Sequence, residues 1–200
     1  MNKVSKHRKK DGNQARNDWM DGALEVRQLN HITFLPTNAT RKIVFESEPK
    51  APEHIKLERA RLCQYDDKHD GNIYCMTAIN DEWLKNNNIL DKRMTGFGGE
   101  KLSVVVIHNI PVFLMRIKSK LDEMRLGADW GLVKYYDPSQ QHEQLSPFHK
   151  SSEYSYQNEF RIYVHRFEAG ELIINIGPLQ DIAEHIIIND LDNFNIYLDV

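Results

Sequence analysis

The stretch YSYQNEFRIYV, Tyr154 to Val164, places an amide, a carboxylate and a guanidinium at alternate positions: Gln157, Glu159 and Arg161. Side chains of an extended segment alternate between faces, so these three share one side with Tyr163 and His165, while Tyr156, Phe160, Ile162 and Val164 share the other. The apolar set is suited to a core. The polar set has two destinations. On an open sheet face Glu159 and Arg161 make an ordinary ion pair of small worth; in a cleft, a positioned carboxylate can act on a substrate. Upstream, His149, Lys150, Ser151 and Ser152 add polar groups within reach of the same strand.

Other constellations are thinner. Cys63 and Cys75 are the only cysteines, and so sparse a pair reads as two reduced thiols, with Cys75 a small hydrophobe in an apolar run. The nine histidines are scattered; His142 and His149 lack partners at metal-ligand spacing, so no metal is expected. A metal-dependent nuclease would need Asp66, Asp67 and Asp70 together with Glu159, but DDKHDG is explained as a turn by its composition alone. TGFGGEK, Thr95 to Lys101, lacks the glycine order and the GKS or GKT of a phosphate loop.

A length of 200 residues suits one domain with a core of its own. Apolar residues at 40% and charged residues at 28% fit a globular chain, and no apolar run approaches the roughly 20 residues of a membrane span. The start is basic without an apolar segment behind it, which argues against a secretory signal and for a cytoplasmic protein. Net charge is −3, so the molecule as a whole does not court polyanions. Lys3, Lys6, Arg8, Lys9 and Lys10 are clustered, however, and residues 1–16 are expected to form a flexible basic tail able to contact phosphates, with a single domain over 17–200.

Short strands are expected in LEVRQLNHITFLP (Leu24 to Pro36) and RKIVFE (Arg41 to Glu46), and a helix from Pro52 toward Cys63. NIYCMTAI reads as a strand and NDEWLKNN as a capped short helix. LSVVVIH reads as a central strand covered on both faces. A helix starting at Asn109 and Pro111 carries Val112, Met115, Leu121 and Met124 as its apolar stripe and ends by Gly127. WGLVKYYD, the YSYQNEFRIYV stretch, ELIINI and the closing NIYLDV complete the strands, with a short helix after Pro178. The order implies an α+β domain: a mostly antiparallel twisted sheet with a few packed helices.

HKSSEYSYQNEFRIYV resembles a segment of a loosely defined group of bacterial and phage proteins, and is similar to the glutamate strand of ADP-ribosyltransferases, including the DarT-type enzymes that modify nucleic acid. That resemblance implies an ADP-ribosyltransferase-like fold and NAD as donor. It makes Glu159 the catalytic glutamate beside the nicotinamide ribose and Gln157 the residue that orients the acceptor. Breaking the bond between nicotinamide and ribose builds positive charge on the sugar, which a facing carboxylate stabilises more in the transition state than in the ground state. By order of elements the resemblance assigns Thr77 to the middle strand that supports the NAD pocket and offers Arg27 and His31 as cofactor contacts from an earlier strand. Lys150, Tyr154, Tyr156 and Arg161 complete the implied cofactor-binding set. The implied partner is a protein or nucleic-acid acceptor, in the setting of a toxin or phage-conflict factor. The alternative is a non-enzymatic module that captures a protein or nucleic-acid partner through its basic tail and a sheet face.

Overall fold

The computed structural model describes residues 1–3, 23–28, 43–44, 61–64, 71–86, 91, 93–94, 102–139, 143–168 and 170–188. Their strands are β1 (Asn2–Lys3), β2 (Glu25–Gln28), β3 (Ile43–Val44), β4 (Arg61–Gln64), β5 (Asn72–Thr77), β6 (Leu102–Ile107), β7 (Gly127–Leu132), β8 (Lys134–Tyr136), β9 (Glu143–Gln144), β10 (His149–Ser151), β11 (Glu159–His165) and β12 (Ala183–Ile188). The helices among the described residues are α1 (Asp81–Asn86), α2 (Ile110–Glu123) and a 3-10 helix over Ser152–Gln157. The content is α+β, as the element pattern implies.

The sheet that carries the polar strand has the order β1-β5-β11-β7, with every pairing antiparallel. Its register alternates side chains strictly. Ile162 and Val164 project toward α2, where they pack with Phe113, Ile117, Leu121, Leu172 and Ile182 to form the core. Glu159 and Arg161 occupy the other face, opposite Thr77 and Cys75 of β5. Two smaller layers accompany this sheet, the parallel pair β8-β10 and the antiparallel pair β6-β12. A second antiparallel sheet has the order β3-β4-β2-β9.

Helix α2 forms because its capping and spacing agree. The Asn109 side chain accepts the Val112 N–H, Pro111 sits in the first turn where no helical donor is needed, and Lys118–Asp122 pairs one turn apart. The buried stripe is Phe113, Ile117 and Leu121, spaced by four, whereas Met115 at 61% and Met124 at 40% are exposed. Of the stripe expected from the sequence only Leu121 is fully buried. The helix stops before Gly127: Arg125 takes the left-handed conformation, with φ 57°, and the Leu126 N–H closes back on the Leu121 carbonyl. Helix α1 is capped by Asn80, whose side chain accepts the Trp83 N–H at 2.8 Å.

Several expectations need correction. Arg61–Gln64 is a strand rather than the end of a helix, because Val26 pairs with Cys63 and Ile43 with Leu62 across their ladders. Strand β6 pairs with β12, and its Val105 is 56% exposed, so LSVVVIH is not covered on both faces. ELIINI forms no strand: Leu172 turns inward and exchanges backbone hydrogen bonds with Met1, while Ile173 faces out. After Pro178 the chain makes a turn closed by the Ile182 N–H on the Leu179 carbonyl instead of a helix. The first residues are held, since Asn2 and Lys3 pair with Ile73 and Asn72; the rest of the basic tail and the closing NIYLDV lie outside the described residues.

One close approach is testable. A Cβ on Gly71 would stand 2.4 Å from the Tyr163 ring, and the Gly71 N–H donates to the Tyr163 hydroxyl at 3.2 Å. Gly71→Ala should therefore destabilise by about 1–3 kcal/mol, the usual range for overpacking. Combining it with Tyr163→Leu should recover part of that loss, read by urea unfolding as a non-additive pair.

Candidate functional site

The polar residues of the YSYQNEFRIYV stretch do not lie on one strand. Ser152–Gln157 winds into the 3-10 helix, Asn158 takes a left-handed conformation at φ 41°, and only then does β11 begin at Glu159. Asn is among the few residues that accept this conformation readily. It is also fixed from outside: the Ala78 N–H donates to its carbonyl at 2.7 Å, and its side-chain amide donates to the Ala78 carbonyl at 2.5 Å. Gln157 and Tyr156 thus belong to the helical turn, and the chain reversal, not strand alternation, brings Gln157 toward Glu159.

The meeting point is Lys150. Its ammonium donates to Gln157 Oε1 at 2.7 Å and to Glu159 Oε1 at 2.6 Å, and lies 4.9 Å from the centre of the Tyr154 ring. The other carboxylate oxygen, Oε2, accepts from Arg161 Nε at 2.7 Å. Arg161 also donates to the Pro147 carbonyl at 2.6 Å. These groups are out of water: Arg161 is 0%, Gln157 3%, Lys150 6% and Glu159 8% exposed. The face that could have met solvent is covered.

Strands β8 and β10, the turn at Ser146–His149 and the 3-10 helix supply the cover. The Val133 N–H donates to the Glu159 carbonyl, and the Glu159 N–H donates to the Tyr135 hydroxyl at 2.9 Å. His149 Nδ1 accepts the Ser146 N–H at 3.1 Å, and this tight turn presents the Pro147 carbonyl to Arg161. Beyond the cover the same strand face opens, with Tyr163 half-buried and His165 exposed and paired with Asp129.

Burial pushes the Glu159 carboxyl up, yet the charges of Arg161 and Lys150 and their hydrogen bonds outweigh it and hold the group below its usual range. It is ionised at neutral pH. Burial pushes the Tyr135 phenol up to about 12, so that it remains a neutral donor and acceptor. The Ser151 hydroxyl is buried, with no hydrogen-bond partner among the described residues.

Of the residues singled out in the sequence, Gln157, Glu159, Lys150, Arg161 and Tyr154 converge here. Tyr156 adjoins them, its hydroxyl accepting from Gln157 Nε2 at 3.1 Å. Thr77 stands directly across the ladder from Glu159. Arg27 lies in β2 of the other sheet, and His31 is outside the described residues, as are Asp66, Asp67 and Asp70. Sequence reading missed Tyr135, hidden in a run that looks like plain strand, and Arg93, whose guanidinium stacks 3.9 Å from the Tyr156 ring centre. Among the described residues no group of three or more His, Cys, Asp or Glu is placed to hold a metal, and no helix is long and apolar enough to cross a membrane. Comparison with protein-family models, with curated proteins and with solved structures finds no match.

The shared carboxylate sets an order of costs. Glu159→Gln removes the charge that Lys150 and Arg161 share inside the protein, so it should cost about 3–5 kcal/mol. Lys150→Met leaves Glu159 on Arg161 and should cost about 1–3 kcal/mol; equal costs, or the reverse order, in urea titrations would show that the carboxylate is not the common partner.

Because the folded carboxyl titrates below the unfolded one, its contribution is complete above the unfolded pKa of about 4.3 and is lost as pH falls through the folded value. Wild type should thus lose stability on acidification below about pH 4.3 more steeply than Glu159→Gln. Parallel denaturation curves at several pH values read the difference.

Proposed function

We propose that this protein is ADP-ribosyltransferase-like and transfers ADP-ribose from NAD to a protein or nucleic-acid acceptor, in the setting of a toxin or phage-conflict factor. The observation that carries the reading is the adjacency of Glu159 and Thr77 at directly opposed ladder positions, with Gln157 held beside the carboxylate by Lys150. That pairing of positions far apart in sequence supports reading β11 as a glutamate strand beside a hydroxyl-bearing one.

The side chains present suit such a donor. Glu159 is kept ionised without a metal, as stabilisation of positive charge on a sugar demands. A ribose hydroxyl that takes Oε1 displaces Lys150, which keeps the Gln157 carbonyl and the Tyr154 ring as partners. Gln157, held between Lys150 and the Tyr156 hydroxyl, is positioned to orient the acceptor, and Arg161 maintains the carboxylate from its other oxygen.

A second reading, a non-enzymatic module that captures a protein or nucleic acid, is favoured by one observation: both Glu159 oxygens already have cationic partners under a covering layer. Such a carboxylate can serve the fold alone.

NAD separates the two. A ligand bound only by the folded state adds about 2.7 kcal/mol at a hundredfold excess over its Kd, so the transferase should melt higher with NAD and release nicotinamide when an acceptor is present. Glu159→Gln, assayed where circular dichroism shows it folded, should lose transfer by a factor on the order of 10² or more. A flat melting response together with no nicotinamide release by wild type would leave the binding module.

A further inference from the structure

Next to the buried cluster stands a layered group of which the transferase reading uses Tyr156 alone. The Arg93 guanidinium lies 3.9 Å from the centre of the Tyr156 ring. Asp91 pins it along one edge, with Nε donating to Oδ1 at 2.9 Å and NH2 to Oδ2 at 2.6 Å, and the Arg93 N–H fastens Oδ1 at 2.8 Å. One face is covered and one edge is occupied, yet the side chain remains 59% exposed. The guanidinium is thus held by Asp91 over the Tyr156 ring on a side chain that solvent reaches.

We propose that the Arg93 guanidinium, backed by Tyr156, is a stacking subsite for a nucleobase. Phosphate is a poorer fit, because Asp91 cancels the charge of Arg93 and takes its two-pronged edge. What the pair leaves available is a flat, weakly hydrated guanidinium, the kind of group on which bases stack. The subsite is continuous with the buried cluster: Tyr156 accepts from Gln157, and Gln157 accepts from the Lys150 ammonium that also holds Glu159. Its link to catalysis rests on the transferase reading, in which the base is either the adenine of NAD or a base of a nucleic-acid acceptor.

The test uses the full chain, as wild type and as Arg93→Lys, which keeps the charge and loses the plane. Calorimetric titrations use AMP, NAD, nicotinamide mononucleotide and a ten-nucleotide single-stranded DNA. Stacking on a protein plane changes affinity by roughly tenfold or more per base. Arg93→Lys should therefore weaken AMP and NAD together by about that factor if adenine occupies the subsite, or the oligonucleotide alone if an acceptor base does. Nicotinamide mononucleotide, which has no adenine, should bind both proteins alike, and melting temperatures should match because Arg93 is exposed. The subsite is overturned if wild type binds none of AMP, NAD and the oligonucleotide, if the substitution leaves all of them unchanged, or if nicotinamide mononucleotide weakens equally. Oligonucleotide binding that depends on Arg93, without any NAD binding or nicotinamide release, would keep the subsite and refute the transferase; nicotinamide release with base affinities indifferent to Arg93 would do the opposite.

Discussion

A carboxylate taken out of water between an ammonium and a guanidinium governs this part of the molecule. Moving Glu159 into the interior costs several kcal/mol of lost hydration, and it is tolerable only because each oxygen meets a cationic donor at hydrogen-bonding distance. That requirement fixes geometry well beyond the carboxylate. Lys150 must arrive from β10, Arg161 from two residues along β11, and the 3-10 helix must turn Gln157 back to the ammonium. The Pro147 carbonyl, presented by the turn that His149 closes, completes the surroundings of Arg161. The arrangement ties four consecutive pieces of chain into one rigid unit on the back of the sheet, and any substrate that uses Glu159 must enter through those contacts.

Local signals in the sequence were legible where one physical rule acted alone. Asn80 and Asn109 announced helix starts because a side-chain acceptor for the first N–H groups needs no help from elsewhere. The alternation of Phe160 to Val164 announced β11, and Ile162 and Val164 indeed enter the core. Local pattern misleads where a tertiary contact outbids it. Residues 61–64 carry helix-compatible types yet pair on both sides in a sheet. Leu172 has strand-like neighbours but finds its hydrogen bonds on Met1. In α2 the apolar types at Val112, Met115, Leu121 and Met124 suggest one stripe, whereas the regular spacing of Phe113, Ile117 and Leu121 selects the buried face.

The site was legible in part for the same reason. Residues 150–161 are close in the chain, so their chemistry could be read as a group. What could not be read was the direction of that chemistry. Two-residue spacing placed Gln157 and Glu159 together on a strand; the structure brings them together through a left-handed Asn158 and a lysine neither was expected to share. Burial of the polar face depends on β8 and β10 lying over it, a parallel pairing that no local periodicity encodes. Tyr135 and Arg93 carried no motif, since a backbone-bound phenol and a stacked guanidinium are recognised only by what they touch.

The doubly fastened junction between Asn158 and Ala78 joins chain positions 80 residues apart. Contacts so far apart in sequence demand a long loop closure before any of their enthalpy is recovered, which slows the search for the native topology. The turn from Lys150 to Glu159 is local and can form early, whereas the ladder between β5 and β11 waits on that distant closure. In that late pairing a misregister by one residue would bring Glu159 to the apolar side and be rejected.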